Sequence, residues 1–179
     1  MMKRLLKGKK VYLRPPKADD FAELTAMYQA NREFFHGLVQ PKSDQKGFNT
    51  YLENNNKPEN EYFLIINGED DKIVGAVNLS QIFKGNFKNA YLGYYLSKEF
   101  TRQGLMTEAI ELILQFAFKT IKLHRLEANV QPQNAASINV LKRAGFTNEG
   151  FSRKYLKING RWRDHGRWAI IAEDWRKRR

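Results

Sequence analysis

The sequence predicts one mixed α/β domain, and three observations predict it. Its 179 residues are the length of a single domain. The spacing of apolar residues changes along the chain, from a helical period at Phe21, Leu24, Met27 and Tyr28 to the continuous run Tyr62-Phe-Leu-Ile-Ile66 of a buried strand. After Gly104, helix-like and strand-like segments alternate to the end. Composition agrees: with 42% hydrophobic and 13% aromatic residues, this is a globular chain, and disorder of the whole is excluded.

Taken in order, Lys10-Val-Tyr-Leu-Arg14 is a short strand stopped by Pro15-Pro16. Asp19 and Asp20 are N-cap candidates for the helix that carries Phe21 to Tyr28. Residues 41–47 form a polar break before a second helix around Phe48, Tyr51 and Leu52, which ends by Pro58. Three strands follow, Tyr62–Ile66, Ile73–Phe83 and Phe87–Leu96. The turns Gly68-Glu-Asp-Asp71 and Lys84-Gly-Asn86 make them antiparallel neighbours. Gly104 opens a helix whose polar positions Glu108, Glu111, Gln115 and Lys119 form one wet stripe on an otherwise buried cylinder. Arg125–Val130 is a strand and Asn134–Ala144 a helix. Phe151–Ile158 and Trp162–Ala172 form a hairpin around Asn159-Gly160, the strongest short turn signal in the chain. There is no internal repeat and no low-complexity linker.

Composition also excludes chemistries. Without cysteine, disulfide scaffolds, zinc fingers, thiol nucleophiles and Cys-ligated clusters are ruled out, and a cytoplasmic setting is expected. No apolar run approaches a membrane span, and Met1–Lys10 has no apolar h-region, so no membrane partner is expected. The net charge of +12 is unevenly placed. Lys3, Arg4, Lys7, Lys9 and Lys10 crowd the start, and Arg176, Lys177, Arg178 and Arg179 the end, with no acid in either segment. The expected organisation is a basic N-terminal tail (1–10), a domain (11–175) and a basic C-terminal tail (176–179). A second basic excess lies between Lys142 and Arg167. Such segments suit a polyanionic neighbour such as RNA or a ribosome, and serve solubility equally.

Two segments could carry chemistry. Phe100-Thr-Arg-Gln-Gly-Leu-Met106 joins a strand to a long helix, where unpaired N–H groups and the helix dipole can hold a phosphate. A lone glycine there is also a plain steric convenience. It is neither a Walker A loop nor a dinucleotide fingerprint. Asn134 and Gly145 read as the two caps of the following helix, which leaves Ser137, Asn139, Lys142 and Arg143 without a structural explanation. His36, His124 and His165 lack metal-ligand spacing, so no metal is expected; His124 and His165 read as capping or packing groups. There is no Gly-x-Ser-x-Gly elbow, and Glu108, Glu127 and Glu149 show no catalytic pairing.

Arg102-Gln-Gly-Leu-Met-Thr-Glu-Ala109, a strand, and then Asn134-x-x-Ser137-x-x-x-Leu141-x-x-x-Gly145-Phe146 together resemble the GNAT acyl-CoA N-acetyltransferase superfamily, over Val11–Trp175. Tyr91-Leu-Gly-Tyr94, Gly104-Leu-Met106 and above all Asn159-Gly-Arg-Trp-Arg-Asp-His165, preceded by Tyr155-Leu156, are similar to the ribosomal-protein-alanine N-acetyltransferases, the RimJ/RimL group, and to its RimJ branch. The resemblance implies a central, mostly antiparallel twisted sheet flanked by helices. It implies acetyl-CoA as cosubstrate and direct transfer, through a tetrahedral intermediate, to the N-terminal alanine of a small-subunit ribosomal protein, the fifth for this branch. It places the cofactor on Tyr94, Tyr95 and Leu96 at the strand end, on Arg102, Gln103, Gly104, Leu105, Met106 and Thr107, and on Asn134, Asn139 and Lys142. Ser137 or Tyr155 would protonate the departing thiolate, and the resemblance favours Ser137. The sequence departs from the superfamily loop at Thr101 and Met106, and Leu156 stands where RimL-type enzymes carry a proposed glutamate base.

The missing base has a chemical reading. A terminal α-amine, with a pKa near 7.7–8.0, is roughly one-tenth neutral at pH 7, whereas a lysine amine near 10.4 is neutral in only about one molecule in 2,500. An α-amine acceptor therefore tolerates a weak base. Two other readings stand beside it: acetylation of a small amine such as a polyamine or aminoglycoside, and a noncatalytic RNA- or ribosome-binding module. On the α-amine reading the tails recruit, and trimming 1–10 and 176–179 leaves peptide acetylation unchanged.

Overall fold

The computed structural model describes residues 5–38 and 43–178, so the cations Lys3, Arg4 and Arg179 and part of the polar break at 41–47 lie outside the described residues. The elements are β1 (Leu6–Lys7), β2 (Val11–Arg14), α1 (Phe21–Ala30), α2 (Arg32–Phe35), α3 (Gln45–Asn55), β3 (Glu61–Asn67), β4 (Ile73–Phe83), β5 (Asn89–Leu96), α4 (Leu105–Gln115), β6 (Arg125–Val130), α5 (Ala135–Arg143), β7 (Thr147–Ile158), β8 (Arg161–Ile171) and α6 (Ala172–Lys177). The eight strands form one sheet in the order β1-β2-β3-β4-β5-β6-β8-β7. Every neighbouring pair is antiparallel except β5 and β6.

Each face of this sheet carries its own core. On one face Phe63, Val77, Leu92, Leu126 and Trp168 pack with Leu105, Ile110 and Ile113 of α4 and Leu141 of α5. On the other, Leu64, Ile66 and Ala76 pack with Leu24 and Tyr28 of α1, Phe35 of α2 and Phe48 of α3. Strand alternation divides β5 accordingly: Ala90, Leu92, Tyr94 and Leu96 face α4 and α5, while Tyr95 faces α1.

The parallel pair is short. Asn89, Ala90 and Tyr91 register with Arg125, Leu126 and Glu127. Beyond Tyr91, β5 continues along β4 as far as Leu96, and β6 continues along β8 as far as Val130. The strands part there, and the backbone edge of Leu92–Leu96 that faces β6 is left without a ladder.

Several expectations are corrected. Strand β1 and helix α2 are not legible in the sequence, and Ala172 starts α6 instead of ending β8. β5 begins at Asn89, not Phe87, and β7 begins at Thr147, not Phe151. Asp20 stands at the N-cap of α1 but does not cap it. Its carboxylate accepts both guanidinium nitrogens of Arg14 at 2.7 Å and the Lys17 N–H at 2.6 Å. The polar stripe of α4, continued by the π-helical turn Phe116–Ile121, is where residues Lys9–Lys10 and Trp175–Arg178 dock, so it is not simply wet. Glu108 accepts the backbone N–H groups of Lys9 and Lys10. Lys119 stands over the Trp175 ring at 5.7 Å. Glu111 lies 3.6 Å from Arg178, which also donates to the carbonyls of Ala144 and Arg143 at the end of α5. An arginine on these last carbonyls satisfies orphan acceptors and complements the helix dipole.

Candidate active site

β5 leaves the sheet through a single 3₁₀ turn, Lys98–Phe100, into the loop Thr101–Gly104 that starts α4. The loop is folded by its own side chains: Thr101 Oγ1 donates to the Lys98 carbonyl at 2.7 Å and Gln103 Nε2 to the Glu99 carbonyl at 2.8 Å. The Gln103 amide nitrogen is thus turned back onto the loop. Gly104 takes a left-handed φ of +84° and exposed Arg102 one of +62°. The first intrahelical bond of α4 runs from the Glu108 N–H to the Gly104 carbonyl at 3.1 Å, so the N–H groups of Leu105, Met106 and Thr107 have no partner within the helix. The Leu105 and Met106 side chains are buried in the core. Among the described residues a Cβ on Gly104 would meet only Lys10 Nζ, 3.9 Å away. A concave run of N–H groups, a helix N-terminus and two cations suits a diphosphate.

Charge alone places Lys10 in a tail, and the structure places it at the site. Its Nζ donates to the Gln103 carbonyl at 2.9 Å, which braces the loop from the first ten residues. No local pattern reveals a partner 93 positions away.

The first turn of α5 closes the other side of the opening. Asn134 caps it as expected, its Oδ1 accepting the Ser137 N–H at 3.1 Å. Ser137 Oγ lies 2.6 Å from the Tyr94 hydroxyl, across the gap from β5. Burial pushes the Tyr94 phenol up to about 12, against the opposing effect of its Ser137 bond. The phenol is thus protonated at neutral pH, and either hydroxyl can be the donor of the pair. Asn139 and Lys142 lie on α5, Lys142 in its last turn.

The remaining expected site residues divide by sheet face. Tyr95 points to the α1 face, where its hydroxyl bonds that of Tyr28; burial pushes both phenols up, Tyr28 to about 12. Leu96 is a core residue. Only the backbones of these two remain for a cofactor. Tyr155 sits in the irregular stretch of β7 between Ser152 and Leu156, with its ring 6.0 Å from that of His165. It also hydrogen-bonds Tyr91, whose phenol is raised first by burial. Tyr155 therefore stands on the α1–α3 face, and Ser137 on the α4–α5 face. The structure brings Ser137 to Tyr94 and does not bring Tyr155 to either.

His165 is buried with Nδ1 3.0 Å from the Arg163 carbonyl, and His124 pairs with Glu173 at 3.2 Å, both structural placements. Glu127, beside Tyr91 in the register, accepts from Asn89 at 3.0 Å and from Arg125 at 2.9 Å. Two side chains tie the α1–α3 layer to this region. Gln131 Nε2 donates to the Gly37 carbonyl at 2.6 Å, and Asn31 joins Ser97 Oγ at 3.0 Å and the Lys98 N–H at 2.7 Å. Among the described residues no cluster of three or more His, Asp or Glu could hold a metal, and no helix is long and apolar enough to cross a membrane.

Comparison with known proteins agrees with this geometry. The family model "Acetyltransferase (GNAT) domain" matches residues 10–147. The chain is 40% identical over 178 residues to the probable N-acetyltransferase YjcK of Bacillus subtilis (strain 168), covering 95% of this chain and 98% of that protein. It is 37% identical over 114 residues to the [ribosomal protein uS5]-alanine N-acetyltransferase of Escherichia coli (strain K12), covering 64% of this chain and 59% of that one. Among solved structures, Mycobacterium smegmatis RimJ in complex with CoA-disulfide superposes with a TM-score of 0.85 at 28% identity, over 96% of this chain and 86% of that one.

Proposed function

The chain belongs to the acetyltransferase (GNAT) family, and from that premise we propose that it acetylates the N-terminal alanine α-amine of a small-subunit ribosomal protein, the fifth, in the cytoplasm. It is an N-acetyltransferase related to the ribosomal-protein-alanine acetyltransferases. The observation that carries the finer reading is the opening between β5 and β6. The carboxylate that borders it, Glu127, already accepts from Asn89 and Arg125, and Tyr94 and Ser137 face each other across it. Such a site suits an amine that arrives neutral without strong help.

Acetyl-CoA supplies the activated acyl carbon. The N–H groups at the start of α4, with Arg102 and Lys10, hold its pyrophosphate, and the open edge of β5 offers donors to the thioester oxygen. The amine nitrogen adds to the acyl carbon to give the tetrahedral intermediate and loses its proton to water; the carbonyl then re-forms as the C–S bond breaks and the sulfur leaves as thiolate. A thiol pKa near 8.5 lies far below that of the Tyr94 phenol. Ser137, held by Tyr94, therefore stabilises the thiolate by donating a hydrogen bond, and solvent completes the protonation.

The pH profile tests the acceptor. With an alanine-first peptide, kcat/KM rises with an apparent pKa near 8 and then flattens, since the free α-amine is the nucleophile. A rate still climbing tenfold per unit above pH 9 rejects the α-amine in favour of a lysine-like or polyamine nitrogen.

Recruitment is a separate matter. Lys10 and Arg178 are engaged at the site and on α5, so trimming 1–10 and 176–179 is expected to disturb the chemistry as well. The cations open to a polyanion are better sought in exposed Lys7 and Lys9 and in the β7–β8 hairpin, where Arg153, Lys154, Lys157 and Arg161 are exposed. We expect ribosomal particles to bind through them. Neutralising Lys7, Lys9, Lys157 and Arg161 lowers the salt slope of that binding by about one unit for each phosphate that no longer meets a cation. An unchanged slope makes these charges merely solubilising.

A further inference from the structure

The feature that the mechanism above leaves unused is a hole in the middle of the sheet. Gly93 lies in β5, fifth of eight strands, and yet is exposed. It registers with Asn78 of β4, so both face the α1–α3 side, where Tyr51 donates to Asn78 at 3.2 Å. A Cβ built on Gly93 meets nothing among the described residues within 4 Å, and its φ lies outside the left-handed region. Glycine is thus required there neither by backbone conformation nor by packing against the described residues. A glycine in a strand interior marks a bulge, a bend or a close approach to the backbone; the β4–β5 register is regular through Gly93, which favours the approach of another molecule.

The surroundings say which molecule. Gly93 is two residues beyond Tyr91, where β5 and β6 part, so it sits at the opening itself. The loop that suits the cofactor and the Tyr94–Ser137 pair occupy the opposite face. A nucleophile must reach the acyl carbon from the side that the pantetheine arm does not fill, which is the Gly93 side. The rim cannot easily rearrange, because its phenols are fixed: Tyr51 to Asn78, Tyr95 to Tyr28, and Tyr91 to Tyr155. The room over Gly93 is therefore set by the missing side chain. Resting on the acetyl-transfer reading above, we propose that Gly93 is the floor of the acceptor subsite, and that it admits the small side chain of a polypeptide's first residue (glycine, alanine or serine) beside the reacting amine.

The test uses full-length protein, acetyl-CoA and six-residue peptides that differ only in a first residue of Gly, Ala, Ser or Val. Wild type, Gly93→Ala and Gly93→Val are compared for kcat/KM, for acetyl-CoA affinity by calorimetry and for thermal midpoint. The wild type is expected to use Gly, Ala and Ser peptides. Gly93→Ala shifts preference towards Gly by at least tenfold, and Gly93→Val lowers turnover of the Ala peptide by at least 100-fold. In both, acetyl-CoA affinity stays within twofold and the midpoint within a few degrees. An unchanged peptide profile overturns the proposal, and so does a parallel loss of acetyl-CoA affinity. If the wild type binds acetyl-CoA but acetylates none of the peptides, the subsite falls along with the α-amine reading. If the wild type does not bind acetyl-CoA, it is the acetyl-transfer reading that fails first.

Discussion

Replacing Gly104 by valine abolishes acetyl-CoA binding at millimolar ligand while the protein still folds. Two effects add. The residue holds φ at +84°, which costs a β-branched side chain about 1–3 kcal/mol. That is tolerable within a total stability of roughly 5–15 kcal/mol. The new methyls also project beside Lys10 Nζ, over the N–H groups of the first turn of α4, where the pyrophosphate is proposed to lie. Calorimetry measures the affinity and a thermal melt checks the fold. Lys10→Met serves as a milder companion, expected to weaken binding several-fold by removing one cation and the brace on Gln103. Undiminished affinity in the valine variant removes the anion site from this loop.

Ser137→Ala comes next in magnitude, lowering kcat by about 100-fold, in keeping with removal of a hydrogen-bond donor to developing charge. Acetyl-CoA affinity changes little, because Asn134 caps α5 through the Ser137 backbone and not its side chain. Ser137→Thr, which retains the hydroxyl, recovers most of the rate. Tyr94→Phe falls between the two, since Ser137 then loses the partner that orients it. Steady-state kinetics with an alanine-first peptide decides. Should Ser137→Ala keep wild-type kcat, the thiolate is stabilised from elsewhere, and Tyr155 on the other face becomes the residue to test.

The elements legible in the sequence are those whose signals are local. The turns at Gly68–Asp71, Lys84–Asn86 and Asn159–Gly160 separate the strands, and Asn134 with Gly145 brackets α5. β1 is invisible because a two-residue strand has no period, and Leu6–Lys7 lies in a run of cations. The junction of β8 and α6 misleads because Ala172 continues the apolar pattern while its backbone turns helical. At the site, Gly104 and Ser137 are legible from motif and resemblance. That Tyr94 and Tyr95, adjacent in sequence, serve different faces requires knowing which core each meets. Lys10 and Arg178 mislead for a related reason. Their charge counts where it stands in the chain, but their partners lie 93 and 34–35 positions away.

The short parallel seam has a thermodynamic consequence. β1 to β5 each pair with their neighbour in sequence, and β6, β8 and β7 form a second antiparallel ribbon. The backbone ladder joining these two ribbons is only three residue pairs long, and the rest of the joint is side-chain packing through α4 and bonds such as Tyr94–Ser137 and Gln131–Gly37. Local opening along such a joint costs less than unfolding either ribbon. Acetyl-CoA as placed above would touch β5 and the α4 loop on one side and α5 on the other. It would thus act as a cross-link between two cooperative units. By mass action, each tenfold excess of ligand over its dissociation constant then adds about 1.4 kcal/mol to the union of the two halves. On that placement the cosubstrate would be a structural member of the sheet that its own binding site interrupts.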